Sequence, residues 1–293
     1  MKAIYKRELR SYFTGIMGWL FIALVTVVFG ICVRAKNFVG QYPYVEYNFY
    51  TTAMLITLIL GVAVLTMRCV AEERRQKTDQ LLYSLPVSTT QVILGKYFAL
   101  MTVMALAAVL MLPYPFILSL YAQEAGAVNI ASAISGIIGF VFLGATLMAI
   151  GVFTSAVTDN QVVSAVLSFA IMIGFLLTST IAGYIPDTAF ASLCALEAVL
   201  VIFAVVLGLM THNYWFGLLV GVITCAGTMG LYTIKQTWFE SLFPRILRAI
   251  SMFDRYNSFV YRTFDITAIV FDISVAALFL FFAVQAMEKR RWS

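Results

Sequence analysis

Eight stretches of the chain are apolar for long enough to cross a bilayer, and nothing between them is long enough to build a second core. They cover residues 16–33, 49–67, 97–121, 133–157, 162–184, 189–210, 214–234 and 266–287. A spanning helix needs roughly 20 residues, because each adds about 1.5 Å against about 30 Å of hydrocarbon. None shows the alternation of a barrel strand, and in lipid a helix satisfies every backbone donor and acceptor within its own segment. The pattern predicts an all-α, polytopic transmembrane bundle, read as one lipid-embedded domain over residues 1–293.

Two further segments are apolar on one side only. In residues 1–15, Tyr5, Leu9, Tyr12, Phe13 and Ile16 share a stripe while Lys6, Arg7 and Arg10 occupy the adjoining face. This predicts an interfacial helix on the inner leaflet, against the plainer alternative of a solvated basic lead into the first span. Residues 235–265 are too polar to span, yet Trp238, Phe239, Leu242, Phe243, Ile246, Leu247, Ile250 and Phe253 recur at helical spacing. They predict an amphipathic extracytoplasmic segment that Pro244 breaks or restarts. Pro113 and Pro115 should kink or unwind the outer end of the third span.

Composition strengthens this picture. Apolar residues make up 62% of the chain, charged residues 11%, and mean hydropathy is +0.95, where soluble domains carry about 25% charged residues. The net charge of +5 reads as topology, because cytosolic loops retain Lys and Arg. With both termini in the cytosol, twelve of the nineteen basic residues fall on the inner side. The expected location is therefore the cell membrane, with lipid as a partner and no nucleic acid. The first apolar run follows a basic start but no small-residue cleavage pattern, so it is expected to remain as a span. Cys32, Cys69, Cys194 and Cys225 stand singly and suit packing.

Candidate chemistry is sparse. The chain contains no G-x-x-x-x-G-K-[ST], H-E-x-x-H or G-x-S-x-G motif. No catalytic or metal site and no cofactor of its own is expected. Glu197 and Asp272 are the carboxylates inside apolar runs, each read as a snorkelling or interhelical residue in preference to a pathway contact. His212 sits in a short turn and reads as a loop residue.

The informative stretch is 71–96. Its charge run, Glu72-Glu73-Arg74-Arg75 with Lys77, Thr78 and Asp79, is followed by Leu81-Leu82 and by Pro86-Val87-Ser88, and re-enters the membrane at Gly95-Lys96. This is a cytosolic helix and turn with a polar rim and an apolar knob, suited to docking a soluble partner. Together with Leu85-Pro86-Val87-Ser88 and Gln91-Val92-Ile93-Leu94-Gly95-Lys96, the stretch resembles the permease subunits of type-2 ABC exporters, most nearly the gliding-motility branch. Lys6-Arg7-Glu8-Leu9-Arg10-Ser11-Tyr12-Phe13, Asp159-Asn160-Gln161, Phe264-Asp265-Ile266-Thr267 and Glu288-Lys289-Arg290-Arg291-Trp292 extend the resemblance over nearly the whole chain.

The resemblance implies that residues 72–84 form the coupling helix of a permease dimer, homomeric or heteromeric. That helix would dock onto a separate ATPase subunit, which hydrolyses the ATP. Residues 158–161, with Asp159, Asn160 and Gln161, would make a minor contact. Many family members carry Gly where Lys77 stands, and six spans are the common core, so an extra hairpin is expected at 189–234. The rival reading is an ATP-independent membrane protein, either a secondary carrier, for which Glu197 and Asp272 are poorly placed, or an assembly scaffold. A membrane enzyme stands third.

Overall fold

The computed structural model describes residues 1–78, 87–121, 128–211, 213–261 and 264–292, and every regular element among them is helical. Eight helices are long and apolar enough to cross a membrane: Ile16–Val39, Thr52–Arg75, Thr89–Tyr121, Ile130–Val157, Gln161–Tyr184, Ala189–Leu209, Tyr214–Ile234 and Ile266–Arg290. The chain is a multi-pass membrane protein. His212 lies outside the described residues.

The chain divides into two compact units, one of residues 1–174 and 255–293, the other of residues 175–254. The first begins with α1 (Lys2–Thr14), halted where Gly15 turns extended. Next come α2 (Ile16–Val33), α3 (Thr52–Thr66) and the short α4 (Ala71–Arg75). They are followed by α5 (Thr89–Met111), α6 (Pro113–Tyr121) and α7 (Ile130–Val157). The break at Leu112 is the expected proline effect: Pro113 lacks an N–H and opens α6, where a missing donor costs nothing. The start of α8 (Gln161–Tyr184), the end of α12 (Met252–Val260) and α13 (Ile266–Trp292) complete the unit.

Helix α7 is the axis of this unit, packing against α13, α5 and α3. It has no polar face because it is enclosed by protein, the arrangement expected of a helix that is apolar all round. Small residues allow its neighbours in. A Cβ added at Gly139 would lie 2.6 Å from Phe259 Cγ, and one at Gly151 would lie 2.7 Å from Thr66 Cβ. Such close approach is the usual way helices associate where lipid removes a hydrophobic drive between them. Asp272 on α13 is buried, its carbonyl accepts from Thr146 of α7 at 3.1 Å, and its carboxylate feels the charge of Arg255. It is an interhelical residue.

The far end of this unit is shaped by a buried asparagine pair. Asn48 Nδ2 donates to Asn37 Oδ1 at 2.6 Å, and Asn37 donates to the Tyr42 carbonyl at 2.6 Å. They hold a loop whose Tyr42, Tyr44, Tyr47 and Tyr50 line, with Lys36 and Tyr261, a cleft of about 510 Å³.

In the second unit, α9 (Ala189–Met210) and α10 (Tyr214–Ile234) pair mainly with one another. A Cβ at Gly217 would meet Ala204 O at 2.7 Å and Gly208 Cα at 2.8 Å, so the small residues seal the hairpin itself. The Thr228 hydroxyl donates to the Glu197 carboxylate, which makes Glu197 an interhelical residue as well. The segment after α10 folds as a 3-10 turn (Gln236–Phe239) and α11 (Leu242–Ile250), with Pro244 in the first turn, where proline is tolerated. Valines and leucines of α9 and α10 are largely exposed, as lipid-facing side chains are.

The tight contact between α7 and α3 generates a prediction. Gly151→Ala should destabilise the protein by about 1–3 kcal/mol through overpacking, read as a lowered melting temperature in detergent. Gly174→Ala, with open space around its Cα, should leave that temperature unchanged or raised.

Candidate functional site

The charged segment after α3 gathers most of the polar chemistry. It is anchored first by backbone. Ser155 of α7 is fully buried, and its Oγ accepts the N–H groups of Val70 and Ala71 at 3.0 and 3.1 Å while donating to the Met67 carbonyl at 3.2 Å. Those two N–H groups open α4 and have no intrahelical partner, so a hydroxyl from a neighbouring span satisfies them.

The other end of α4 is closed by a Schellman turn. Thr78 N–H bonds to Glu73 O at 2.9 Å and Lys77 N–H to Arg74 O at 3.0 Å, with Lys77 at φ +56°. That position favours glycine, because a Cβ in the left-handed region costs roughly 1–2 kcal/mol. The Gly that the resembled permeases carry here thus has a conformational reason. Within the segment expected as a helix over 72–84, α4 stops at Arg75, and Asp79, Leu81 and Leu82 lie outside the described residues.

Successive side chains of α4 then divide. Glu73 reaches Lys96 Nζ at 3.0 Å and Arg7 Nη2 at 2.6 Å. Arg74 is buried, and its guanidinium stands 3.8 Å from Asp159 in the turn between α7 and α8. Asp159 is also bound by Arg290 near the end of α13, which donates as well to the Val157 carbonyl at 3.1 Å. Asn160 caps α8, accepting the Val162 N–H at 2.9 Å, and Gln161 opens that helix. Arg75, Lys77 and Thr78 are exposed, and Glu72 is half-buried.

Lys96 is the residue on which this end converges, and in the sequence it stands out only as the last residue of Gln91-Val92-Ile93-Leu94-Gly95-Lys96. Its side chain is 1% exposed, and it meets Glu8 at 3.2 Å, Glu73 at 3.0 Å and the Cys69 carbonyl at 2.7 Å. Arg7 Nη2 completes the group at 2.7 Å from Glu8, so two carboxylates share two cations. An unpaired buried ammonium costs several kcal/mol, and only close pairing offsets that. The Asp159 ion pairs differ, because that carboxylate is 61% exposed and surface pairs contribute at most about 1 kcal/mol. Nearby, burial first, then Cys69 and Glu8, pushes the phenol of buried Tyr12 of α1 well above the ordinary range.

These features define a helical membrane protein whose charged segment after α3 is fixed from behind and exposed, among the described residues, in front. Residues 37–214 match the ABC-2 family transporter proteins, more than half of the chain, and the chain belongs to that family. Its members are the membrane permeases of ABC-type transporters. No curated protein and no solved structure matches the chain.

Two substitutions separate the anchors of α4. Ser155→Ala leaves two buried N–H groups without their acceptor and should cost about 1–3 kcal/mol, seen as faster proteolysis between residues 70 and 90. Lys77→Gly relieves the left-handed strain and should stabilise by up to about 1 kcal/mol, with slower cleavage there.

Proposed function

We propose that the chain is the permease subunit of an ATP-driven exporter in the cell membrane, with both termini and α4 on the cytosolic side. Two permease subunits, identical or paired with a related chain, form the substrate pathway along their interface. A separate ATPase subunit docks beneath α4 and hydrolyses the ATP. The observation that carries this reading is the division within α4: Glu73 and Arg74 are tied to the body of the protein, whereas Arg75, Lys77 and Thr78 are exposed. A segment built to receive force needs such a fixed back and free face. Supporting it are the family membership, the absence of a phosphate-binding loop motif in the sequence, and the concentration of basic residues on the same side. Asp159 and Asn160, exposed beside α4, are the secondary contact.

The test is capture of an ATPase subunit by the tagged protein from solubilised native membranes. Tagged wild-type protein should retain it, and the double reversal Arg75→Glu with Lys77→Glu should reduce capture roughly tenfold, which corresponds to about 1.4 kcal/mol, without lowering the melting temperature. Lys36→Glu, at the far end of the same unit, should have no effect. Undiminished capture by the double variant refutes the docking face. Transport by vesicles that lack any ATPase would favour a secondary carrier.

A further inference from the structure

The cluster around Lys96 joins more than α4 to the third span. The Lys96 ammonium meets three elements: it donates to Glu8 of α1 and to the Cys69 carbonyl after α3, and it is ion-paired with Glu73 of α4. Burial closes the site to substrate and partner alike. The residue acts by what it holds together.

The rest of α1 lies along the same surface. Gly95 leaves room for Ile4, whose Cγ2 would stand 3.1 Å from a Cβ added there, and the Tyr5 hydroxyl bonds to Thr102 at 2.9 Å. Arg7 of α1 reaches Glu73 of α4 and Glu8 reaches Lys96 of α5, while Lys2, Lys6 and Arg10 are exposed. The two cations of the cluster are unequal. Arg7 is 54% exposed and Lys96 is 1% exposed, so water screens the Arg7 contacts and leaves those of Lys96 at nearly full strength.

We propose that Lys96 is a positioning residue that fastens the N-terminal helix α1 to α4, so that α1, α4 and the first turns of α5 are displaced as one body when α4 is driven. The displacement rests on the docking role assigned to α4; the fastening does not. On this account α1 is a working part of the coupling device. Arg7 trims the charge of the cluster without holding it, and the exposed cations of α1 bring the moving body into contact with the lipid headgroups.

The test uses the full chain in nanodiscs, with native cysteines replaced and spin labels at Lys6→Cys on α1 and Lys77→Cys beyond α4. The wild-type background should give a single narrow distance distribution. Lys96→Gln should broaden it at least about twofold, Glu8→Ala should do the same while α4 stays held, and Arg7→Gln should leave it narrow. If Lys96→Gln fails to fold, Glu8→Ala decides the question alone. A triple variant, Lys96→Met with Glu8→Gln and Glu73→Gln, removes the uncompensated charges. It should recover the melting temperature and keep the broad distribution.

A narrow distribution in both Lys96→Gln and Glu8→Ala, or recovery of the narrow distribution by the triple variant, would show that packing holds α1, and would overturn the proposal. With the ATPase bound, and with the second label at Lys36→Cys at the far end of the same unit in place of Lys77→Cys so that the docking face is unaltered, ATP should shift the distance to the α1 label in the wild-type background and not in Glu8→Ala; an equal shift in both also overturns the proposal. Failure of the ATPase to bind would count against the docking role alone, since the distances are measured without it.

Discussion

Lys96 places an ammonium group inside protein where the third span enters the bilayer, and the organisation of this end of the molecule follows from the need to neutralise it. Charge in a low-dielectric setting must meet opposite charge at contact distance or be released to water. Water is excluded at Lys96, so neighbouring elements come to it: Glu8 from α1, Glu73 from α4 and a carbonyl from the turn between α3 and α4. Once Glu73 is drawn inward, the helical repeat turns Arg74 toward Asp159 and leaves Arg75 outward. One buried charge thereby orients a five-residue helix that has too few hydrogen bonds to stand alone.

Behind α4 stands α7, a helix enclosed by protein along most of its length. Its Ser155 holds the backbone that leads into α4, and its Gly151, one turn away, admits α3. Displacement of α4 therefore meets the most densely packed helix of the first unit directly. The α9–α10 hairpin, by contrast, is sealed by its own small residues and exposes apolar side chains along its length. The packing separates a charge-clamped helical core from an element stabilised within itself.

Much of this architecture is legible in the chain, and the parts that are not have a common cause. Spans follow from length and apolarity, the break at Leu112 from Pro113, and the 189–234 hairpin from two apolar runs around a short turn. These are local signals. The helix that carries the third span begins at Thr89, ahead of the apolar run from residue 97, because the run is bounded by Lys96, whose buried partners cannot be seen in the chain. Glu8 and Lys96 pair across 88 positions, and Asp159 and Arg290 across 131. No periodicity announces such pairs. The end of α4 could have been anticipated at position 77, where the resembled permeases carry Gly, had that Gly been read as the end of a helix. Glu197 accepts from Thr228 of the neighbouring helix, and Asp272 is buried where its backbone carbonyl meets Thr146 of α7, contacts that no local signal in the chain specifies.

In the proposed function α4 presents Arg75 and Lys77 to an ATPase while Glu73 and Arg74 hold to the permease. The most direct measurement is site-specific photocrosslinking in intact cells, with a photoreactive side chain placed in turn at Arg75 and at Tyr42, followed by mass spectrometry of the captured protein. The account predicts an ATPase subunit carrying the phosphate-binding loop at Arg75 and none at Tyr42. Capture of no ATPase at Arg75, or equal capture at both ends, would contradict it.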